Sequence, residues 1–260
     1  MDFLFRPLRL AMDILINLFF WSYYTAGFMV FFLPVYIFGF LVMKDPQPLF
    51  QRLNHQFYRI FFSLSRILIP GLTIHIPPEV RDVKSSVIIC NHISYIDPIL
   101  LISLYPMHRT IVKGSIFRMP VFGWFLRHSG YIPDSVDDSD GLAMKDVITG
   151  LAEFLSKGGN LFVFPEGTRM PGGSIGGFHK GAFSLARKCR APIVVLRIRN
   201  TDNLMKPGNL WYSTCFHNPV SVGFLARLDP DYGSPGFSLK GLIGQARSLY
   251  TEKPLTQKEV

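Results

Sequence analysis

The sequence predicts an α/β domain, a mixed sheet flanked by helices, behind an N-terminal hydrophobic membrane helix or helical hairpin. Three observations carry this. Short apolar runs alternate with helical patterns from about residue 70 to residue 228, the pattern of a sheet covered by helices. No charge occurs between Asp13 and Lys44, a stretch longer than the roughly 20 residues a membrane span needs. The chain is 48% hydrophobic and only 17% charged, which places it on the apolar side of soluble proteins.

Residues 1–46 are read as a membrane anchor. A cleaved signal carries an apolar stretch of roughly 7–15 residues and a small-residue cleavage site. This run is longer and no Ala-x-Ala follows it, so it is read as retained. Gly27, Pro34 and Gly39 interrupt the run, which leaves a tilted or kinked single span and a re-entrant hairpin both open. Arg6 and Arg9 precede it, and Lys44 and Arg52 follow, so the charges give little orientation.

Residues 47–69 form an amphipathic basic helix. Phe50, Leu53, Phe57, Ile60, Phe61, Leu64, Ile67 and Leu68 recur at helical spacing. Arg52, Arg59 and Arg66 share another face. Such a helix suits the lipid interface, and it equally suits packing on a domain with its arginines solvated.

Pro70-Gly71 opens the α/β domain, residues 70–250. Expected strands are Leu72–Ile76, Ser86–Cys90, Thr110–Lys113, Asn160–Phe164, Pro192–Ile198 and Val220–Phe224. Expected helices are Pro98–Tyr105, Phe117–Arg127, Leu142–Lys157 and Lys180–Cys189. The loop Pro133–Gly141 is acidic, but Val136 and Val147 stand where a calcium loop needs carboxylates. A solvated loop with Ser139 or Asp140 capping the next helix is the simpler reading. Residues 251–260 form a polar tail.

The 27 basic and 18 acidic residues give a net charge of +9. Zinc-finger spacing and RNA-binding aromatic signatures are missing, so the charge points to an anionic membrane surface or a phosphorylated substrate and not to nucleic acid. Cys90, Cys189 and Cys215 are widely spaced, with no Cys-x-x-Cys pair. That argues against a disulfide framework or a zinc site and for reduced, cytosol-facing thiols.

The chemistry-bearing residues follow two expected strands. Asn91-His92-Ile93-Ser94-Tyr95-Ile96-Asp97-Pro98 comes after Ser86–Cys90. A carboxylate bonded to one ring nitrogen fixes a histidine's tautomer and leaves the other nitrogen as base. Asp97 before Pro98 also suits a helix N-cap. A structural, hydrogen-bonded histidine gives the same local pattern. The second segment, Pro165-Glu166-Gly167-Thr168-Arg169, follows Asn160–Phe164. Arginine offers a fork that fits phosphate, and glycine lets backbone amides approach an anion. A strand-end turn with a surface ion pair is the plain alternative. Gly172, Gly173, Gly176 and Gly177 follow, suggesting a mobile loop over the site.

Asn91-His92-x4-Asp97 and Phe164–Arg169 resemble the first and third motifs of the glycerolipid acyltransferase family, most like its lysophosphatidic acid (1-acylglycerol-3-phosphate) acyltransferases. Lys113-Gly114-x-Ile116-Phe117-x-x-Pro120-x-Phe122-Gly123 resembles the intermediate motif, and Ala191–Val195 the last. The chain departs from the last motif at Arg197, where an apolar residue is expected. The resemblance implies an acyltransferase of phospholipid biosynthesis that needs no cofactor and no metal. Its acyl donor is acyl-CoA or acyl carrier protein, and its partners are a lysophospholipid acceptor and the lipid bilayer. It implies that His92 is the general base and that Asp97 orients it. Glu166, Gly167, Thr168 and Arg169 hold the substrate's glycerol phosphate, with Lys113 and Asn91 as further substrate contacts. The expected location is the cytosolic face of a membrane, a bacterial inner membrane before an endomembrane. Another lysolipid acceptor, such as lyso-ornithine lipid or lysocardiolipin, and a non-catalytic lipid-binding protein are the alternatives.

Three other features are set aside. Gly172-x-Ser174-x-Gly176 lacks the strand and helix that a nucleophile elbow needs. Cys90 reads as a small buried strand residue. His108 and His128 read as core or interfacial polar residues.

Overall fold

The computed structural model describes residues 2–134, 144–206, 208–214 and 217–252. The N-terminal run forms one helix and not a hairpin. α1 (Asp2–Ser22), a π-helical segment (Tyr23–Phe32) and α2 (Leu33–Val42) follow one another without a turn. Pro34 lacks the N–H that an unbroken α-helix would use there, and the wider turns just before it absorb the lost bond. Arg9–Val42, 34 residues, is long and apolar enough to cross a membrane by length and composition. Its outer face is strongly apolar: Phe31, Phe38 and Leu41 are 73%, 67% and 74% exposed. Its inner face is anchored to the domain. The Asn17 side chain exchanges hydrogen bonds with the Tyr212 backbone at 3.0 and 2.7 Å.

α3 (Gln47–Leu68) packs back along this helix. Tyr23 stacks on Phe57 at 4.6 Å, and the Tyr36 hydroxyl donates to Asn54 at 2.6 Å. The apolar face of α3 enters the core, while Arg52, Arg59 and Arg66 stay exposed. The helix thus packs on the domain with its arginines solvated.

Beyond it lie β1 (Leu72–His75), α4 (Pro78–Arg81), β2 (Val87–Cys90), α5 (Ile96–Leu104), β3 (His108–Val112), α6 (Gly114–Phe117), α7 (Pro120–His128) and β4 (Ile132–Pro133). Then come α8 (Met144–Ser156), β5 (Asn160–Val163), α9 (Gly181–Cys189), β6 (Ile193–Arg199), α10 (Thr201–Leu204), β7 (Asn218–Leu228) and α11 (Leu239–Glu252). The strands form a sheet in the order β1-β7-β6-β2-β5-β3-β4. Among the described residues only β6 and β7 pair antiparallel, so the sheet is mixed.

The period of two along each strand divides the core. Ile88, Phe162, Val194 and Leu196 face one side, toward Phe61 of α3 and Leu100 of α5. Val87, Ile89, Leu161 and Val195 face the other, toward α8, α9 and α11. The central strands β2 and β5 are buried on both faces, as parallel strands between two helical layers must be.

The structure departs from expectation at several places, among them the following. The single helix expected over Phe117–Arg127 is split into α6 and α7, because Pro120 drives Met119 out of helical geometry (φ −71°, ψ 127°). β3 begins at His108, and β4 is a two-residue strand that ends on proline. α11 was not expected. The Ser139 or Asp140 cap, the acidic loop beyond Asp134, and Cys215 lie outside the described residues.

Candidate active site

β2, β3, β5 and β6 run parallel to one another, so their carboxyl ends share one edge of the sheet. That edge is where functional loops of α/β folds gather. It brings together Asn91–Asp97, Lys113, Pro165–Arg169 and the end of β6, which are far apart in sequence.

His92 follows β2, and its Nδ1 lies 2.8 Å from Asp97 Oδ2. A carboxylate can only accept, so Nδ1 carries the proton and Nε2 keeps a free lone pair. The His92 side chain is 13% exposed and that of Asp97 is fully buried. Asp97 is held by more than the histidine. Oδ2 accepts from the backbone N–H of Ile93 at 2.7 Å and of Ser94 at 2.8 Å, and Oδ1 accepts from the Thr201 hydroxyl at 2.5 Å. These bonds compensate a buried carboxylate. Asp97 is the second residue of α5 and does not cap it, because the helix begins at Ile96. The turn at Ser94-Tyr95 still folds His92 back onto Asp97, as the spacing required.

Phe164 presses its ring on the His92 imidazole at 4.4 Å, and Met170 N–H donates to the His92 carbonyl at 2.7 Å. The β5 loop is thereby tied to the β2 loop. Gly167 has φ +68°, and a Cβ there would meet the His179 ring at 3.2 Å, so both backbone and space call for glycine. The Arg169 guanidinium lies 3.8 Å over the Tyr95 ring, which holds its fork flat and open beside the His92 turn.

Glu166 is 5% exposed, and neither carboxylate oxygen meets hydrogen-bond geometry with a partner. Burial pushes its pKa up to about 7, opposed by the nearby backbone amides of His92 and Gly176. It makes no ion pair with Arg169. Thr168 is exposed on the same loop. Lys113 is exposed at the end of β3, separated from β2 by β5, roughly 10 Å from the His92 strand by strand spacing.

Asn91, expected as a further substrate contact, commits its side-chain amide to the fold. It is 3% exposed, donates to the Ile198 carbonyl at 2.9 Å and accepts the Ile198 N–H at 2.7 Å. Its amide extends the β2–β6 pairing and braces the His92 loop. Thr201, Phe164 as a ring beneath His92, and Tyr95 beneath Arg169 were not anticipated. Thr201 stands 104 residues from Asp97, and no local pattern points to it.

Beside Tyr95 and Ile96 opens a cavity of about 610 Å³, walled by Phe28, Tyr58, Phe125 and Met205. It runs between the N-terminal helix, α3 and α7, and its lining is overwhelmingly apolar. Among the set-aside residues, Cys90 is fully buried and burial drives its thiol pKa upward, away from the thiolate a nucleophile needs. Ser174 follows a short turn of 3-10 helix and not a strand. His108 is buried between the Tyr105 carbonyl and the Tyr131 hydroxyl, and burial lowers its pKa to about 3, so it is a neutral core residue.

A family model described as Acyltransferase matches residues 71–199. The chloroplastic 1-acyl-sn-glycerol-3-phosphate acyltransferase BAT2 of Brassica napus is 36% identical over 47% of this chain and 35% of its own length. The chloroplastic 1-acyl-sn-glycerol-3-phosphate acyltransferase LPAT1 of Arabidopsis thaliana is 32% identical over 65% of this chain and 47% of its own. The chain thus spans less than half the length of these two relatives. The crystal structure of the 1-acyl-sn-glycerophosphate acyltransferase PlsC from Thermotoga maritima superposes with a TM-score of 0.66. It covers 92% of this chain and 94% of that one at 20% identity, a likeness of fold. With the His92–Asp97 turn and the Pro165–Arg169 loop both inside it, the segment of residues 71–199 matches the Acyltransferase family.

Proposed function

We propose that this protein is a membrane-bound 1-acylglycerol-3-phosphate O-acyltransferase. It moves a fatty acyl group from acyl-CoA or acyl carrier protein to the free sn-2 hydroxyl of 1-acylglycerol-3-phosphate and gives phosphatidic acid. The observation that carries the reading is the His92–Asp97 pair at 2.8 Å with Nε2 left free, set between an arginine fork and an apolar cavity. Relatives named 1-acyl-sn-glycerol-3-phosphate acyltransferases support the choice of acceptor.

In this reading His92 Nε2 takes the proton of the acceptor hydroxyl, and the oxygen attacks the thioester carbonyl. The tetrahedral intermediate expels the thiolate, which recovers the proton from His92. Asp97 stabilises the imidazolium formed between the two steps. A positioned base contributes roughly 10²–10⁴-fold to such a reaction. Arg169 takes the acceptor's phosphate, with Gly167 and Thr168 closing around it and Lys113 at the rim. The apolar cavity takes an acyl chain. The reaction draws on the chain's own side chains, without metal or cofactor.

The exposed apolar face of residues 9–42 lies in the bilayer in this reading, with the arginines of α3 near lipid phosphates. The free thiols of Cys90 and Cys189 fit a domain on the cytosolic face, as in a bacterial inner membrane. The test is a panel of lysolipid acceptors with purified protein, one acyl thioester and product detection by mass spectrometry. Phosphatidic acid from lysophosphatidate, absent with His92→Ala, is expected. Product with every acceptor except lysophosphatidate would overturn the choice of acceptor.

A further inference from the structure

A pocket of about 230 Å³ is walled by α3, β1, α4 and the end of α5. It shares no lining residue with the apolar cavity beside Tyr95. It also stands apart from His92. β1 lies three strands from β2 in the sheet order, roughly 14 Å across. Leu104, which ends α5 on the pocket wall, comes seven residues after Asp97, roughly 10 Å along the helix.

Phe62, Ile74 and Leu100 give the pocket an apolar floor, and Arg59, Arg66 and Arg81 stand around it. Arg59 and Arg66 are two turns apart on α3, roughly 10 Å, so two long side chains meet between them. Arg81, on α4, donates from Nε to the Ile76 carbonyl at 3.1 Å. That bond fixes its fork and leaves the two terminal nitrogens without a partner among the described residues. No Asp or Glu lines the pocket, and none of the three arginines makes an ion pair among the described residues. Glu79 and Asp82 flank Arg81 in the chain without pairing with it. The Ser63 and Ser103 hydroxyls on the wall donate to the Arg59 and Leu100 carbonyls. Three like charges are thus gathered with no counter-charge, and an anion among them relieves their repulsion.

The neighbouring surface identifies what carries that anion. Ile60 and Ile67 follow Arg59 and Arg66 by one position and are 41% and 77% exposed. At about 100° per residue they fall between the arginines and the row of Phe57 and Phe61, which packs on the N-terminal helix. The apolar outer face of residues 9–42 therefore continues over Ile60 and Ile67 to the rim of the pocket. A soluble anion makes no use of that strip, and the acyl chains of a lipid do. We propose that the Arg59–Arg66–Arg81 pocket binds the phosphomonoester headgroup of a membrane lipid, with the lipid's acyl chains against Ile60 and Ile67. A phosphomonoester offers three oxygens and up to two charges to the guanidinium forks, and a phosphodiester offers fewer of both. This rests on the bilayer reading of residues 9–42 and lies outside the acyltransfer site. The product of the proposed reaction is a lipid of this class, so the protein holds most tightly to membrane it has already supplied.

The test is flotation of the full-length protein with vesicles of phosphatidylcholine alone, and with phosphatidylglycerol or phosphatidic acid added to equal surface charge. The parent is expected to bind the phosphatidic acid vesicles about tenfold more tightly than the phosphatidylglycerol ones, the difference of one charge-assisted hydrogen bond. Arg66→Gln and Arg81→Gln each remove that preference. Arg81→Lys restores it only in part, because an ammonium has no fork. Arg52 is exposed on the same side of α3 and outside the pocket, so Arg52→Gln lowers binding to both anionic vesicles alike and keeps the preference. The preference also persists in Arg169→Gln, which separates the pocket from the substrate site. Equal loss of the preference in Arg52→Gln and Arg66→Gln overturns the proposal, as does a preference lost in Arg169→Gln and kept in Arg66→Gln. Inorganic phosphate that releases the parent as effectively as short-chain phosphatidic acid does would make the ligand a free anion and overturn it too. A parent that floats with no vesicle sinks the bilayer reading and the pocket with it. A parent that floats with all three alike, indifferent to Arg66, sinks the pocket alone.

Discussion

The Thr201 hydroxyl donates to Asp97 Oδ1 at 2.5 Å, a bond that joins the first turn of α5 to the residue that follows the end of β6 by two positions. Both groups are fully buried. Thr201→Val keeps the shape and removes the donor. A hydrogen bond to a charged group is worth roughly 1.5–3 kcal/mol, and a urea titration should show a loss of that order. Steady-state kinetics should show kcat falling with little change in KM, and Thr201→Ser should restore most of it.

Asp97→Asn tests the charge without removing bulk. A carboxamide oxygen in the place of Oδ2 can still accept from Ile93, Ser94 and His92 Nδ1, with the amide nitrogen turned to Thr201. The imidazolium formed during the reaction then lacks its counter-charge, and a rate loss of about 10²–10⁴-fold is expected. Activity within a factor of two of the parent would show that His92 needs no carboxylate partner.

Glu166 predicts a pH dependence of stability. The folded group keeps its proton up to about 7, while its ordinary value is 4.5. Between those values the unfolded chain binds fewer protons than the folded one, so stability falls as pH rises from about 4.5 to 7. Glu166→Gln, which cannot ionise, should lose this slope and melt higher than the parent above pH 7. Parallel Tm curves for the two proteins across the range would refute the raised pKa.

Gly167→Ala introduces a Cβ at φ +68° and 3.2 Å from His179. The left-handed backbone alone costs roughly 1–2 kcal/mol. The loop should relax by displacing Arg169, so the KM for lysophosphatidate rises more than kcat falls. His179→Ala in the same chain should recover part of the loss, because it removes the clash but not the backbone strain.

Membrane attachment can be tested on the outer face of the N-terminal helix. Phe38→Glu with Leu41→Glu changes two side chains that are 67% and 74% exposed. Flotation with anionic phospholipid vesicles should show the parent bound and the double variant largely released. Undiminished flotation would place the bilayer contact elsewhere.

The sequence made some relationships visible and hid others for physical reasons. His92 and Asp97 lie within one turn after a buried strand, so local spacing was enough to pair them. Asn91 stood beside them and was read as a substrate contact, yet its amide belongs to Ile198, 107 residues away. Only strand order could reveal that. Pro120 broke an expected helix that periodicity alone would have continued. α11 escaped notice because Gly241 and Gly244 thin the apolar row of Leu242, Ala246 and Tyr250. Arg197 read as a departure from an otherwise apolar motif, and the fold turns that departure into one wall of a cavity.

The π-helical segment has a consequence for the whole N-terminal helix. Phe20, Tyr24, Phe28, Phe32, Tyr36 and Phe40 place an aromatic ring at every fourth position. On an unbroken α-helix, with about 3.6 residues per turn, such a row drifts around the axis by roughly 40° at each step. The wider turns of Tyr23–Phe32 take more residues per revolution and wind the row back. The row therefore keeps its phase, with Phe20 against Phe61, Phe28 against Phe57 and Phe40 against Trp124. Deleting one residue between Tyr23 and Phe32 would turn everything after it by about a quarter turn. Tyr36 would swing off Phe50, and an outward-facing residue would take its place. The segment acts as a phase corrector: it lets a single helix show one aromatic edge to the protein from Phe20 to Phe40.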